Sequence, residues 1–388
     1  MTAQIAITAA ELCSADQRIA NPVVLIEDGH IVDMASRSGR EIPAKARVFD
    51  FPDAVLVPGY VDLHIHGAAG YDVMEGSDDG LNRMSAFLAQ RGVTSFLATT
   101  VTAQLSRLEA AVEKIALQIE HWPANSPLAR PIGIHLEGPC ISDARRGVHP
   151  REYVCNPTVE LLERMHQAAH GKLKLITIAP ELAGALEVIR AAVARGIKVS
   201  IGHTDGTAED ALAAIEAGAT HVTHTFNAMR PLEHRAPGVL GVALSDDRLC
   251  AEIIADGVHV DPRVVEIFLR SKGPERAVLV TDAISATGMP DGRYRLGEFE
   301  VTVAGPRAEC DGRLAGSVLT LERAVQNVMQ FANWPLPHAV RLATANPARV
   351  LGCEKLGRLE TGARADIAVL SREGVVQQSF VGGIAARN

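Results

Sequence analysis

No CxxC pair occurs in this sequence: its six cysteines, Cys13, Cys140, Cys155, Cys250, Cys310 and Cys353, are scattered. That excludes the usual thiolate zinc sites and a disulfide framework. Reduced thiols that pack are expected, Cys140 included, although it adjoins a motif considered below. No apolar run approaches the roughly 20 residues needed to cross a bilayer, and "MTAQIAITAAELCSADQR" carries no basic leader ahead of an apolar stretch. A cytoplasmic location is the expectation. Aromatic residues are only 4% of the chain, no basic stripe interleaves with them, and the net charge is −8. A nucleic-acid surface is therefore not expected, and an anionic ligand requires a local cationic pocket. Low-complexity segments and internal repeats are absent as well.

What is present suits a folded core. With 47% hydrophobic and 22% charged residues, the 388-residue chain has room for one large domain and a small one. Eight short runs rich in β-branched residues alternate with segments of helical period: "VLVPGYVDLHIHG", "GVTSFLATTVT", "RPIGIHLEGP", "LKLITIAPE", "GIKVSIGHT", "ATHVTHTFNAM", "CAEIIADGVHV" and "AVLVTDAIS". Intervening stretches such as "ALEVIRAAVARG" place apolar residues three and four apart and stop on glycine. This rhythm predicts an α/β fold built as a (β/α)8 TIM barrel. An open doubly wound sheet shares the rhythm, but most runs end on His, Glu, Asp or Asn, and only a barrel gathers all such strand ends at one mouth. Residues 1–57 and 351–388 read instead as hairpin strands with Asp-Gly punctuation. They are expected to form a small β-sandwich domain from both termini, beside a hydrolase barrel over 58–350.

The strand endings carry the chemistry. His64 and His66 lie two apart in a strand and so share a face. Glu137, His203, His224 and Asp282 end the third, fifth, sixth and eighth runs. Four imidazoles and two carboxylates at one mouth suit a divalent metal of borderline hardness with a position open to water. Glu137, His203 and His224 are expected to hold one ion, and His64 and His66 a second with Glu137 bridging. Asp282 is the candidate proton carrier for the water that such an ion activates.

Together, "PGYVDLHIHG", "HLEGP", "IGHT", "THTFNAMRPLEHRAPG", "IADGVHV", "LVTDAI" and "LAGS" resemble the amidohydrolase superfamily, and within it the deacetylases of amino-sugar phosphates. The resemblance spans nearly the whole chain. It implies the same barrel, a homodimer, and hydrolysis of the acetamide of N-acetyl-D-glucosamine 6-phosphate to D-glucosamine 6-phosphate and acetate. It implies one or two divalent ions per subunit, zinc first, with iron, manganese or cobalt as alternatives. Glu137, His203 and His224 match the principal ligands and Asp282 the catalytic acid/base, while His64 and His66 keep a second ion open. His149 and Arg235 match phosphate contacts, Arg235 in its own or the partner subunit. Asn227, Ala228 and Val148 match substrate contacts, Leu314, Ala315 and Gly316 a wall over the sugar, and His259 a substrate contact expected to steady the oxyanion.

Three other readings share these motifs: a cyclic-amide hydrolase, a nucleobase deaminase, or a non-catalytic interaction protein on the same barrel. The remaining histidines are read blandly. His135 shares the parity of Glu137 and is expected to be a packed strand residue. His221, out of phase with His224, is expected to face the helices. His30, His121, His166, His170, His234 and His338 are expected to be surface or structural.

Overall fold

The structure, a computed structural model, describes residues 4–353 and 355–387. Eight parallel strands follow one another in strict sequence order. They are β1 (Tyr60–Ile65), β2 (Val93–Thr100), β3 (Arg130–Glu137), β4 (Leu173–Ile178), β5 (Lys198–Ile201), β6 (His221–Val222), β7 (Cys250–Ile253) and β8 (Ala277–Leu279). The ring closes just beyond β8: the backbone N–H of Asp282 donates to the His64 carbonyl (2.8 Å), and that of His66 donates to the Ala283 carbonyl (2.8 Å).

The intervening helices pack one apolar stripe on the barrel. In the helix Leu105–Glu120 the buried residues are Leu108, Ala111, Val112, Ile115 and Ala116, spaced i, i+3, i+4, i+7 and i+8. Burial of each large aliphatic side chain in such a stripe contributes about 1.5–3 kcal/mol. The helix after β5 starts from a reciprocal cap: the Thr207 hydroxyl accepts the Asp210 N–H, and Asp210 accepts the Thr207 N–H. That cap ends the loop carrying His203 and thereby limits its length.

Strands from both chain ends form a second sheet of eight strands, in which Arg47–Pro58 pairs in parallel with Ile5–Cys13 and antiparallel with Ile367–Leu370. By hydrogen bonding it is one continuous sheet, with its own core of Ile7, Val24, Ile26, Leu56, Ile367, Val369 and Phe380. The first sequence run therefore divides between two sheets. Gly59 is the divide: a Cβ there would lie 2.2 Å from Thr94 Cγ2, so the chain passes from one sheet to the other only where no side chain intervenes.

One element has no counterpart in the sequence reading. Between β8 and the last barrel helix, Gly292–Leu296, Phe299–Ala304, Arg307–Cys310 and Arg313–Leu314 make a small antiparallel sheet. It brings Leu296 and Leu314 over the barrel mouth. Among the described residues no helix is long and apolar enough to cross a membrane.

Candidate metal centre and active site

His64 lies near the end of β1 and Glu137 at the last position of β3. His66, His203, His224 and Asp282 stand one to three residues past their strands, where the backbone turns outward over the barrel. Three of these turns are left-handed, with φ of 46° at His203, 24° at His224 and 50° at Asp282. Non-glycine residues adopt that region at a cost of about 1 kcal/mol or more. Strain at three converging functional side chains marks the site independently of residue type.

Glu137 is the hub. Its Oε1 lies 3.2 Å from His203 Nε2, 3.0 Å from His224 Nε2 and 3.3 Å from His64 Nε2. Its Oε2 faces His66 Nε2 at 3.3 Å and His149 Nε2 at 3.6 Å. Asp282 Oδ1 completes the second group, 3.1 Å from His66 Nε2 and 3.6 Å from His64 Nε2. The two oxygens of one carboxylate thus serve two overlapping groups of donors.

Partners on the far side of each ring decide which nitrogen carries the proton. His203 Nδ1 faces the Arg145 carbonyl (2.9 Å), His66 Nδ1 the Thr99 carbonyl (3.0 Å) and His64 Nδ1 the Glu252 carboxylate (3.3 Å). All three partners only accept, so each Nδ1 holds a hydrogen, and in the neutral ring each Nε2 presents a lone pair. The His64 and His66 lone pairs face one another, with the two Nε2 atoms 3.3 Å apart, and His224 Nε2 stands 3.1 Å from that of His203. Such pairs repel unless a cation lies between them. The donor set therefore fits a divalent metal, with nitrogen and carboxylate oxygen in the proportion zinc-type sites use.

The electrostatics agree. Burial pulls the His203 ring down to about 4, keeping it neutral and ready to ligate. Burial works to raise Glu137 and Asp282, but the His64 charge and the surrounding imidazole hydrogen bonds outweigh it. Glu137 stays well below the usual carboxylate range and Asp282 is lowered to about 2. Both are carboxylates at neutral pH.

A cavity of about 230 Å³ opens directly above these groups. Its walls include Val148, His149, Asn227, Ala228, His259, Leu314 and Gly316 beside the ligand candidates. Two of the expected substrate residues lie elsewhere. Ala315 is buried, its N–H donating to the Ala308 carbonyl (3.0 Å). Arg235 sits exposed on a tight turn closed by the Glu233–Ala236 bridge, outside the cavity of its own chain.

His149, expected at the phosphate, lines the cavity and is buried against the ligand cluster, its ring 4.8 Å from that of His203. Its Nδ1 accepts from the Thr102 backbone N–H (3.2 Å) and lies 2.7 Å from the Thr102 hydroxyl. The hydrogen of the neutral ring is therefore on Nε2, pointing toward Glu137: a donor where the other rings are acceptors. His259 is oriented from outside, Nδ1 lying 2.7 Å from Asp256 Oδ2.

His135 is a packed strand residue, its ring lowered to about 3 chiefly by burial and its Nε2 2.8 Å from the Thr177 hydroxyl. His221 corrects the parity argument. It points into the barrel, with Nε2 2.9 Å from Glu252 Oε1. β6 is only two residues long, so His224, on its left-handed turn, no longer follows strand alternation. Glu252 itself escaped notice. The signal was available, since a lone carboxylate within the apolar run "CAEIIAD" is costly unless something holds it.

A parallel barrel whose mouth gathers imidazoles and carboxylates around a shared glutamate, with an ionised aspartate beside them, defines a metal-dependent hydrolase of the water-activating class. Residues 55–385 match the profile of the amidohydrolase family, and the chain belongs to that family. Among its relatives, the N-acetylglucosamine-6-phosphate deacetylase of Vibrio furnissii is 39% identical over 93% of this chain and 89% of its own length. The N-acetylgalactosamine-6-phosphate deacetylase of Escherichia coli O157:H7 is 36% identical over 93% and 96%. A solved mutant N-acetyl-D-glucosamine-6-phosphate deacetylase from Mycobacterium smegmatis, in complex with N-acetyl-D-glucosamine-6-phosphate, superposes with a TM-score of 0.92 at 35% identity, covering 100% of both chains.

Proposed function

We propose that this protein hydrolyses the acetamide of N-acetyl-D-glucosamine 6-phosphate, releasing acetate and D-glucosamine 6-phosphate. The observation that carries the reading is the juxtaposition of Asp282 with the group centred on Glu137, at the floor of a sugar-sized cavity. The likeness to deacetylases over nearly the full chain supplies the substrate. Glu137, His203 and His224 hold one ion and His64 and His66 a second; zinc suits the donors best. A divalent ion bound there polarises a carbonyl and lowers the pKa of water to roughly 7.

Asp282, already ionised, takes the proton from the attacking water. It then returns that proton to the sugar nitrogen, which leaves only as a neutral amine. The oxyanion role assigned to His259 from sequence passes to His149, whose Nε2–H points into the Glu137 cluster where charge develops. His259, Asn227 and Ala228 hold the sugar phosphate, with Val148, Leu314 and Gly316 as walls. No Arg or Lys lines the cavity among the described residues, so a phosphate needs a cation from elsewhere. Arg235 of a second copy supplies it, in a homodimer.

Acetate release should be measured from N-acetylglucosamine 6-phosphate, N-acetylgalactosamine 6-phosphate and unphosphorylated N-acetylglucosamine, beside ring opening of a cyclic amide. The first is expected to be turned over fastest. Preference for a cyclic amide would overturn the reading.

A further inference from the structure

Glu252 lies inside β7 and is fully buried, yet it does not line the cavity. Its Oε1 is 2.9 Å from His221 Nε2. Its Oε2 accepts the His224 backbone N–H (3.0 Å) and lies 3.3 Å from His64 Nδ1. One oxygen therefore touches a residue from each of the two overlapping donor groups, and the other oxygen is pinned so that the carboxylate cannot turn. His66 and His203 are oriented by backbone carbonyls, at Thr99 and Arg145. His64 alone of the three depends on a side chain.

We propose that Glu252 is the positioning residue for the two-histidine metal position. By accepting Nδ1–H it fixes the His64 tautomer whose Nε2 lone pair faces Glu137 and His66, and by holding the His224 backbone it keeps the first group in register with the second. The inference rests on the reading that this cluster holds divalent ions. The carboxylate does not touch substrate; it acts through His64. An apolar residue of similar length leaves Nδ1–H without an acceptor, and the ring is then free to turn or to move its hydrogen to Nε2, where it blocks ligation. Glutamine should do much better. The buried His221 Nδ1 has no partner among the described residues, so His221 can change tautomer and accept the amide N–H, leaving the amide oxygen to face His64.

The test is metal stoichiometry and affinity, read by titrating zinc into chelator-stripped protein, with activity measured separately. Wild type is expected to bind two ions. In Glu252→Met the ion at His64 and His66 should lose about 10–100-fold in affinity, and the other, which loses only the hydrogen bond to the His224 backbone, should lose less; Glu252→Gln should lose less than about tenfold at either position. Equal affinities for both ions in wild type and Glu252→Met would overturn the proposal, as would a wild type that binds only one. If Glu252→Met does not fold, Glu252→Asp decides, because its carboxylate is drawn back from His64 by one carbon–carbon bond: a weakened second ion supports the role, and unchanged affinity refutes it. Wild type that binds two ions but releases no acetate would sink the deacetylase reading and leave this inference standing.

Discussion

Gly316 tests the placement of Asp282 without touching its carboxylate. The glycine has φ of 58°, and a Cβ there would stand 2.3 Å from Ile284 Cγ2 and 3.0 Å from the Asp282 carbonyl oxygen. Ordinary contact needs about 3.5 Å or more, so Gly316→Ala forces a movement of about 1 Å. Ile284 is fully buried and β-branched, so it has no open rotamer to retreat into. The movement falls on the backbone, where the Ser317 N–H donates to the Asp282 carbonyl (2.7 Å). Left-handed strain and overpacking together should lower stability by about 2–4 kcal/mol. A displacement of that size at a reacting group costs about 100-fold in turnover, or about 2.7 kcal/mol of barrier. Gly312→Ala is the control, because its φ is 73° with nothing within 4 Å of the added methyl. It carries the strain and leaves the site alone. The assay is kcat for acetate release at matched metal content, with Tm recorded for both variants. A Gly316→Ala enzyme that folds and turns over within twofold of the parent would refute the placement argument.

Further predictions concern individual groups. Asp282→Asn should retain its ions by metal analysis and lose most turnover; unaltered turnover would remove Asp282 from the mechanism. Thr102→Val deletes the hydroxyl beside His149 Nδ1 and should lower kcat about fivefold, the value of one hydrogen bond; an unchanged kcat would count against His149 as the oxyanion donor. Asp256→Asn should raise KM more than it lowers kcat, since it frees the His259 ring at the substrate end; a loss confined to kcat would place His259 at the reaction centre. Stability should depend on pH in the ion-free state. Burial works to lower His66, but hydrogen bonds to Asp282 and Glu137 win and raise it from 6.5 to about 9. A raised histidine stabilises fully below its unfolded value and loses that contribution as pH climbs through the folded one. Chelated protein should therefore lose Tm between pH 6.5 and 9, whereas zinc-loaded protein, with His66 bound as a neutral ring, should not. A constant gap between the two curves would contradict the assignment.

The metal-site candidates were legible because strand ends in a barrel are few and an ionisable residue at one is conspicuous. His64, Glu137, His203, His224 and Asp282 each lie at or near the end of an apolar run in the sequence, and the fold brings each within 3.6 Å of another. Residues that act across the barrel were not legible. Glu252 and His221 form a pair 31 positions apart on adjacent strands, and their inward direction depends on register, which alternation over a two-residue strand does not set. The orientation of His149 was hidden because its partner, Thr102, lies 47 positions upstream. The four-stranded insertion over the mouth was hidden for a different reason. "GRYRLGEFEVTVAGPRAECDGRL" reads locally as ordinary hairpins, and only the tertiary fold shows that two of its leucines roof the cavity. Arg235 stays outside the cavity of its own chain, and nothing in its own sequence neighbourhood signals that.

The most direct test of the account is to strip the protein with a chelator, verify its fold by circular dichroism, and follow acetate release from N-acetylglucosamine 6-phosphate while zinc is titrated back. The account predicts no turnover without the ion and recovery that rises in step with ion bound at the Glu137, His203 and His224 position. Full turnover in folded, verifiably ion-free protein would contradict it.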